Sequence, residues 1–171
     1  MTAAWLPVDY LADVTPPITG GTTYRSATVL EQVVDQFEVD THGRYAPRDV
    51  TGDGKKETFC NVFAADVSRG LACPIPRDRA NAQAEWLEGP HGQAHGWRPA
   101  SRDEAISRST LGLPVLATWH STNGGPGHIA VVIPHRGSVE VQIAQAGGSC
   151  FSRGGLSRGF GSLPVRFFTH D

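Results

Sequence analysis

Apolar residues recur at helical spacing in the first half of the chain and in short strand-like runs in the second. Val29, Leu30, Val33 and Phe37 repeat among Glu31, Gln32, Asp35 and Gln36, which predicts a first helix over 28–39. From Cys60 to Leu71 the side chains are mostly apolar, through Val62, Phe63, Ala65, Val67 and Leu71. A helix apolar on most of its surface is buried, so this second helix is expected at the centre of the fold. Cys73-Pro74-Ile75-Pro76 ends it, because proline cannot continue a helix. A short third helix is expected from Asn81 to Leu87, with Trp86 as a core anchor. Ser101-Arg102-Asp103-Glu104 is a capping box that opens another helix of about two turns.

Four strands are then expected: Val115 to Trp119, Ile129 to Ile133, Val139 to Ala144 and Val165 to Thr169. The glycine-rich segment Thr122 to Gly127 joins the first two, and Arg136-Gly137-Ser138 supplies a hairpin turn before the third. Residues 1–27 read as an extended arm, and 40–59 and 89–99 as loops. Helices first and an antiparallel sheet afterwards define the α+β class.

The 171 residues suit one domain, taken as 28–171 behind the 1–27 arm. A formal charge of -2 lacks the basic excess of a sequence-independent nucleic-acid binder, so no nucleic-acid partner is expected. No apolar run approaches the ~18–20 residues of a membrane span, and no membrane insertion is expected. The first residues lack the basic and apolar regions of a signal peptide. Synthesis in the cytoplasm is therefore expected, with later release by lysis, secretion or a carrier particle. A monomer is expected. Three cysteines leave at least one thiol unpaired within the chain.

Cys60 sits where a polar loop becomes an apolar helix. A helix N-terminus carries partial positive charge and free N–H groups, which favour a thiolate and can hold an oxyanion. A buried structural cysteine is the plainer alternative. His128 opens a strand directly after Asn123-Gly124-Gly125-Pro126-Gly127, a position suited to a general base or, more plainly, to a surface turn. His120 is a rival base. Gln145 ends the next strand, where its oxygen can accept the imidazole N–H if the two strands pair. Gln142 competes for that role, but three residues away it faces the other side of the strand.

The order of cysteine on a helix start, histidine on a strand and a polar residue on the next strand resembles the papain-like amidohydrolases of the CHAP and NlpC type. The resemblance rests on Thr58-Phe59-Cys60-Asn61-Val62-Phe63, Gly96-Trp97, Gly112-Leu113-Pro114-Val115-Leu116-Ala117, Gly127-His128-Ile129-Ala130-Val131-Val132 and Ile143-Ala144-Gln145-Ala146-Gly147. It implies a papain-like fold, with Cys60 as nucleophile, His128 as general base and Gln145 as third residue. Asn61, Thr58 and Trp97 would line the oxyanion and substrate subsite. It also implies hydrolysis of amide bonds in peptidoglycan peptide, as phage lysins, autolysins and antibacterial effectors do, with no cofactor needed for the chemistry. The rival expectation is a non-catalytic wall-binding or phage-particle domain of the same fold.

Asp49-Val50-Thr51-Gly52-Asp53-Gly54-Lys55 matches the first half of an EF-hand loop, with Asp49, Thr51, Asp53, the Lys55 carbonyl and Glu57 as Ca2+ ligands. The final ligand position falls on Cys60, so a structural Ca2+ would need a carboxylate from elsewhere, and an Asp-Gly turn alone would look similar. His91 and His95 have metal-ligand spacing, but Pro90 and Gly92 argue against a helix there. Cys73 and Cys150 are expected as thiols in a reducing compartment, with a disulfide as the alternative. Trp5, Trp97 and Trp119 are candidate cleft walls, Trp119 more as a core residue. Gly154-Gly155, Gly159 and Gly161 read as loop, with no helix to follow.

Overall fold

The structure, a computed structural model, describes residues 21–171. Most of the expected arm, and Trp5 with it, lies outside the described residues. Helix α1 (Ala27–Asp35) starts on Ser26, whose hydroxyl accepts the Val29 N–H at 3.1 Å. It ends earlier than the apolar pattern suggests. Glu38 takes a left-handed conformation (φ 49°) that helical geometry excludes, while Phe37 and Val39 still bury their side chains. Helix α2 (Cys60–Gly70) is buried along nearly its whole length, as expected.

Helix α3 (Ala80–Glu88) runs almost directly into α4 (Pro90–Ala94), where a loop was expected. Pro90 is no obstacle at the first helical position, because the N–H it lacks would have no partner there. Strand β1 (Arg98–Ala100) follows, also unexpected. It lies at the edge of the sheet, the place where a strand tolerates a proline such as Pro99. Helix α5 (Arg102–Thr110) has the anticipated cap, with Ser101 Oγ accepting the Glu104 N–H at 3.1 Å.

Strands β2 (Val115–Trp119) and β3 (His128–Val132) occur where expected, within a residue. Strand β4 spans Gln142–Ala146 rather than 139–144, and Val139 is 92% exposed. Strand β5 (Cys150–Gly155) and helix α6 (Leu156–Phe160) occupy the segment read as a glycine-rich loop. Strand β6 (Arg166–Thr169) is the last.

The six strands form one sheet in the order β1-β6-β2-β3-β4-β5, with every neighbouring pair antiparallel. The class is α+β. Alternate residues of β3 explain how the layers assemble. Ile129, Val131 and Ile133 join α1 and α2 in one core, while Ala130 and Val132 join Ala105 of α5 and Phe160 of α6 in the other. Both faces of the central strands are covered, so their apolar run is continuous. Among the described residues no helix is long and apolar enough to cross a membrane.

One buried ion cluster ties the loop before α2 to that helix. Asp66 is fully buried and accepts Arg44 Nε at 2.8 Å, Arg44 Nη2 at 3.1 Å and the Tyr45 hydroxyl at 2.8 Å. Arg77 and Arg69 approach the same carboxylate at 3.1 and 3.4 Å. Burial, with Asp66 adjacent, pushes the Tyr45 hydroxyl well above its ordinary pKa, so it remains a donor.

Candidate active site

Strand pairing brings His128 and Gln145 together. Val131 lies opposite Ala144 in the β3–β4 register, which sets the start of β3 beside the end of β4. Gln145 is buried, and its Nε2 donates to the Ser149 carbonyl at 3.0 Å. That bond fixes the amide orientation and leaves Oε1 to accept from His128 Nε2 at 2.7 Å. The imidazole proton therefore sits on Nε2, and Nδ1 keeps its lone pair. Phe160 packs on the ring, with centroids 4.7 Å apart and planes tilted by 60°. Burial holds the His128 pKa below its ordinary value, only partly opposed by the Gln145 hydrogen bond. The ring is thus neutral and oriented, the state a general base requires. Gln142 is not part of this arrangement, since its amide turns to the Glu140 carbonyl at 3.5 Å.

Cys60 is the first residue of α2 and is only 5% exposed. Its sulfur faces the backbone N–H groups of Ile129, Asn61 and Cys60 itself. The first of these belongs to the residue after His128, so the thiol lies against the start of the histidine strand. The helix start was expected to favour the thiolate, but burial outweighs the three N–H groups and raises the Cys60 pKa. At neutral pH Cys60 is therefore a thiol and His128 an imidazole. Cys73 is pushed up to about 12 by burial, and Cys150, half-buried, is also raised by burial. Iodoacetamide labelling of native protein at neutral pH is thus expected to modify Cys150 before Cys60 or Cys73. Peptide mapping that finds Cys60 labelled first would refute the neutral, shielded thiol.

The other expected subsite residues fare differently. Asn61 spends its side-chain amide on the Asp78 carbonyl at 2.9 Å, so only its backbone N–H faces the sulfur. Thr58 is exposed on the approach to α2. Trp97 does not line a cleft: it is 1% exposed and packs edge-on against His170 at 5.3 Å. A residue on the short segment between α4 and the edge strand is covered on both sides, which its neighbours in sequence do not reveal. Trp119 packs on the second core. His120 is held by Glu85 at 2.8 Å instead of approaching Cys60.

Several residues of the site escaped sequence reasoning. Ser149 fixes the Gln145 amide, and Phe160 covers the His128 ring. Phe160 carried one signal, an aromatic alone in a Gly/Ser/Arg stretch. A separate surface cavity of about 170 Å3, lined by Glu31, Asp35, Arg136 and Arg153 among others, contains none of Cys60, His128 and Gln145.

In the loop before Cys60, carboxylate oxygens of Asp49, Asp53 and Glu57 lie within 4.8 Å of one another. Asp49 accepts the Gly52 and Gly54 N–H groups at 2.7 and 2.8 Å, and Asp53 accepts that of Lys55 at 2.9 Å. Glu57 accepts Val50 N–H at 2.9 Å and the Thr51 hydroxyl at 3.1 Å. Among the described residues these are the three acids whose side chains could hold a metal ion. The set fits half an EF-hand, because Cys60, at the last ligand position, turns into the core. His91 and His95 do lie on a helical turn, against expectation, but His95 Nδ1 bonds the His91 carbonyl at 2.7 Å. They join no group of three metal-binding side chains among the described residues. All three cysteines are free, so Cys73 and Cys150 do not pair.

No protein-family model matches the chain, and no curated protein matches it at a significant level.

Proposed function

We propose that this protein is a papain-like cysteine amidohydrolase. The observation that carries the reading is the Nε2-protonated His128, clamped by Gln145 at 2.7 Å at the start of the strand whose next residue, Ile129, turns its backbone N–H to the Cys60 sulfur. Nδ1 of His128 takes the thiol proton as Cys60 Sγ attacks the amide carbonyl. The N–H groups of Cys60 and Asn61 hold the oxyanion. His128 returns the proton to the leaving amine, which departs to give a thioester. Water, deprotonated by His128, then releases the acid and frees the thiol. No step requires a metal, and a Ca2+ ion on Asp49, Asp53 and Glu57 would only brace the loop that leads to Cys60.

The substrate proposed is the peptide part of peptidoglycan, which rests on the resemblance carried by the Cys60, His128 and Gln145 segments. Muropeptide mass spectrometry tests it. Digestion of peptidoglycan by wild-type protein is expected to yield fragments with one new amine and one new carboxyl, and the Cys60→Ala variant none. Identical fragment patterns from both proteins would end the proposal.

The burial of Cys60 favours a second reading, a non-catalytic module that binds wall peptide or serves in a phage particle. In that case wild-type protein sediments with peptidoglycan, leaves its bonds intact, and does so equally well as Cys60→Ala.

A further inference from the structure

Cys60 and His128 lie on different elements, and hydrogen bonds from the neighbours of both converge on the first turn of α3. On the cysteine side, fully buried Gln83 donates from Nε2 to the Asn61 carbonyl at 3.0 Å and to the Pro76 carbonyl at 2.9 Å. Asn61 answers with its own amide on the Asp78 carbonyl. On the histidine side, Asn81 accepts the Ser121 N–H at 2.9 Å and donates to the Gly125 carbonyl at 3.0 Å. It thereby spans the loop between β2 and β3. That loop is tied internally, since Asn123 Oδ1 accepts both the Ser121 hydroxyl at 2.7 Å and the Gly125 N–H at 3.1 Å. Gly127 allows the close approach. A Cβ there would stand 2.2 Å from Asn81 Oδ1 and 2.7 Å from the Trp119 carbonyl.

We propose that the start of α3 is a bracket that sets the Cys60–His128 geometry, with Asn81 as the positioning residue for the histidine and Gln83 for the cysteine. The proposal rests on the catalytic reading given above. Asn81 must accept and donate at once, which only an amide of this length does at this place. Alanine loses both bonds. Aspartate is isosteric and keeps the bond from Ser121, but it has no hydrogen to give Gly125. Neither residue touches the reacting atoms, so the effect falls on the rate of reaction and not on substrate binding. Misplacement of a reacting group by about 1 Å costs on the order of 100-fold in rate.

The test is steady-state hydrolysis of a wall-derived peptide by wild type, Asn81→Ala and Asn81→Asp, with melting temperatures recorded beside it. Asn81→Ala is expected to lose about 100-fold in kcat with KM unchanged, and Asn81→Asp a smaller factor. The acid limb of the kcat/KM profile is expected to move to higher pH, as a loosened His128 regains water and titrates more like a free histidine. Wild-type kcat in Asn81→Ala, or in Asn81→Asp should the alanine variant fail to fold, overturns the bracket alone. A loss that merely tracks the melting temperature, with the pH profile unmoved, overturns it too. A wild-type protein that hydrolyses nothing removes the proposed function and the bracket with it.

Discussion

Cys60→Ala is expected to lower kcat by a factor on the order of 10⁴–10⁶, the range seen when a nucleophile is removed from a cooperating set. His128→Ala is expected to cost a similar factor, because without the base a neutral buried thiol has nowhere to send its proton. Gln145→Ala leaves the base in place but unclamped, and its expected cost is nearer 10²-fold. The pH profile sharpens this. His128 is held below its ordinary value by burial, so the acid limb of kcat/KM should lie below ~6.5. Cys60 is raised by burial, so the plateau should run past the ordinary thiol value of ~8.5 with no alkaline fall from the pair. A thiolate–imidazolium enzyme would instead lose activity as the imidazolium deprotonates. The same histidine shift bears on stability. As pH falls through the ordinary histidine value, the unfolded chain takes a proton that the folded ring refuses, so the fold weakens toward acid. Residual turnover in Cys60→Ala above one part in a thousand or so would place the nucleophile elsewhere.

Asp66→Ala is expected to destabilise the fold by about 3–5 kcal/mol, a large share of the roughly 5–15 kcal/mol that holds a typical domain. The asymmetry of its partners decides the size. Arg69 and Arg77 are 40% and 31% exposed and can turn to water when the carboxylate goes. Arg44 is 3% exposed and cannot, so its guanidinium stays buried after the Asp66 carboxylate it meets at 2.8 Å is removed. Asp66→Asn keeps the shape and isolates the charge, and most of the loss should persist in it. Urea unfolding of the variants measures this directly. A change below about 1 kcal/mol in both would mean that the Arg44–Asp66 pair is not what holds this loop. Because Arg44 and Tyr45 lie on the loop that leads toward Cys60, partial loosening here should also make the thiol easier to alkylate.

How far the sequence disclosed this molecule depended on whether local pattern or distant partners controlled each segment. Helix α2 and strands β2 and β3 were legible because their apolar residues are local and dense. The cap of α5 was legible because Ser101 and Glu104 satisfy it within one turn. Strand β4 was placed too early because Val139 is apolar, yet it stands in solvent, and nothing nearby marks it as such. Strand β5 was missed because, Phe151 aside, its residues are small or polar. Gly154 faces the Phe151 ring, where a Cβ would come within 2.6 Å, so the absent side chain is a packing requirement and not a sign of loop. At the site, strand order was enough to bring His128 to Gln145. A buried Cys60 was the plainer reading of the sequence, but not the strand that covers it, since that depends on how the histidine strand meets the helix start. Trp97 was misjudged because the ring it packs against, His170, lies far away in the sequence.

The strand order sets the sequence in which the sheet can close. Strand β6 lies between β1 and β2, although it is the last of the three in sequence. Until Arg166–Thr169 is in place, β2 to β5 can pair in sequence, but β1 has no neighbour and β2 shows an open edge. Such an edge invites pairing with other chains. The thiol helix and the histidine strand are therefore held in a half-closed sheet until Arg166–Thr169 docks between β1 and β2.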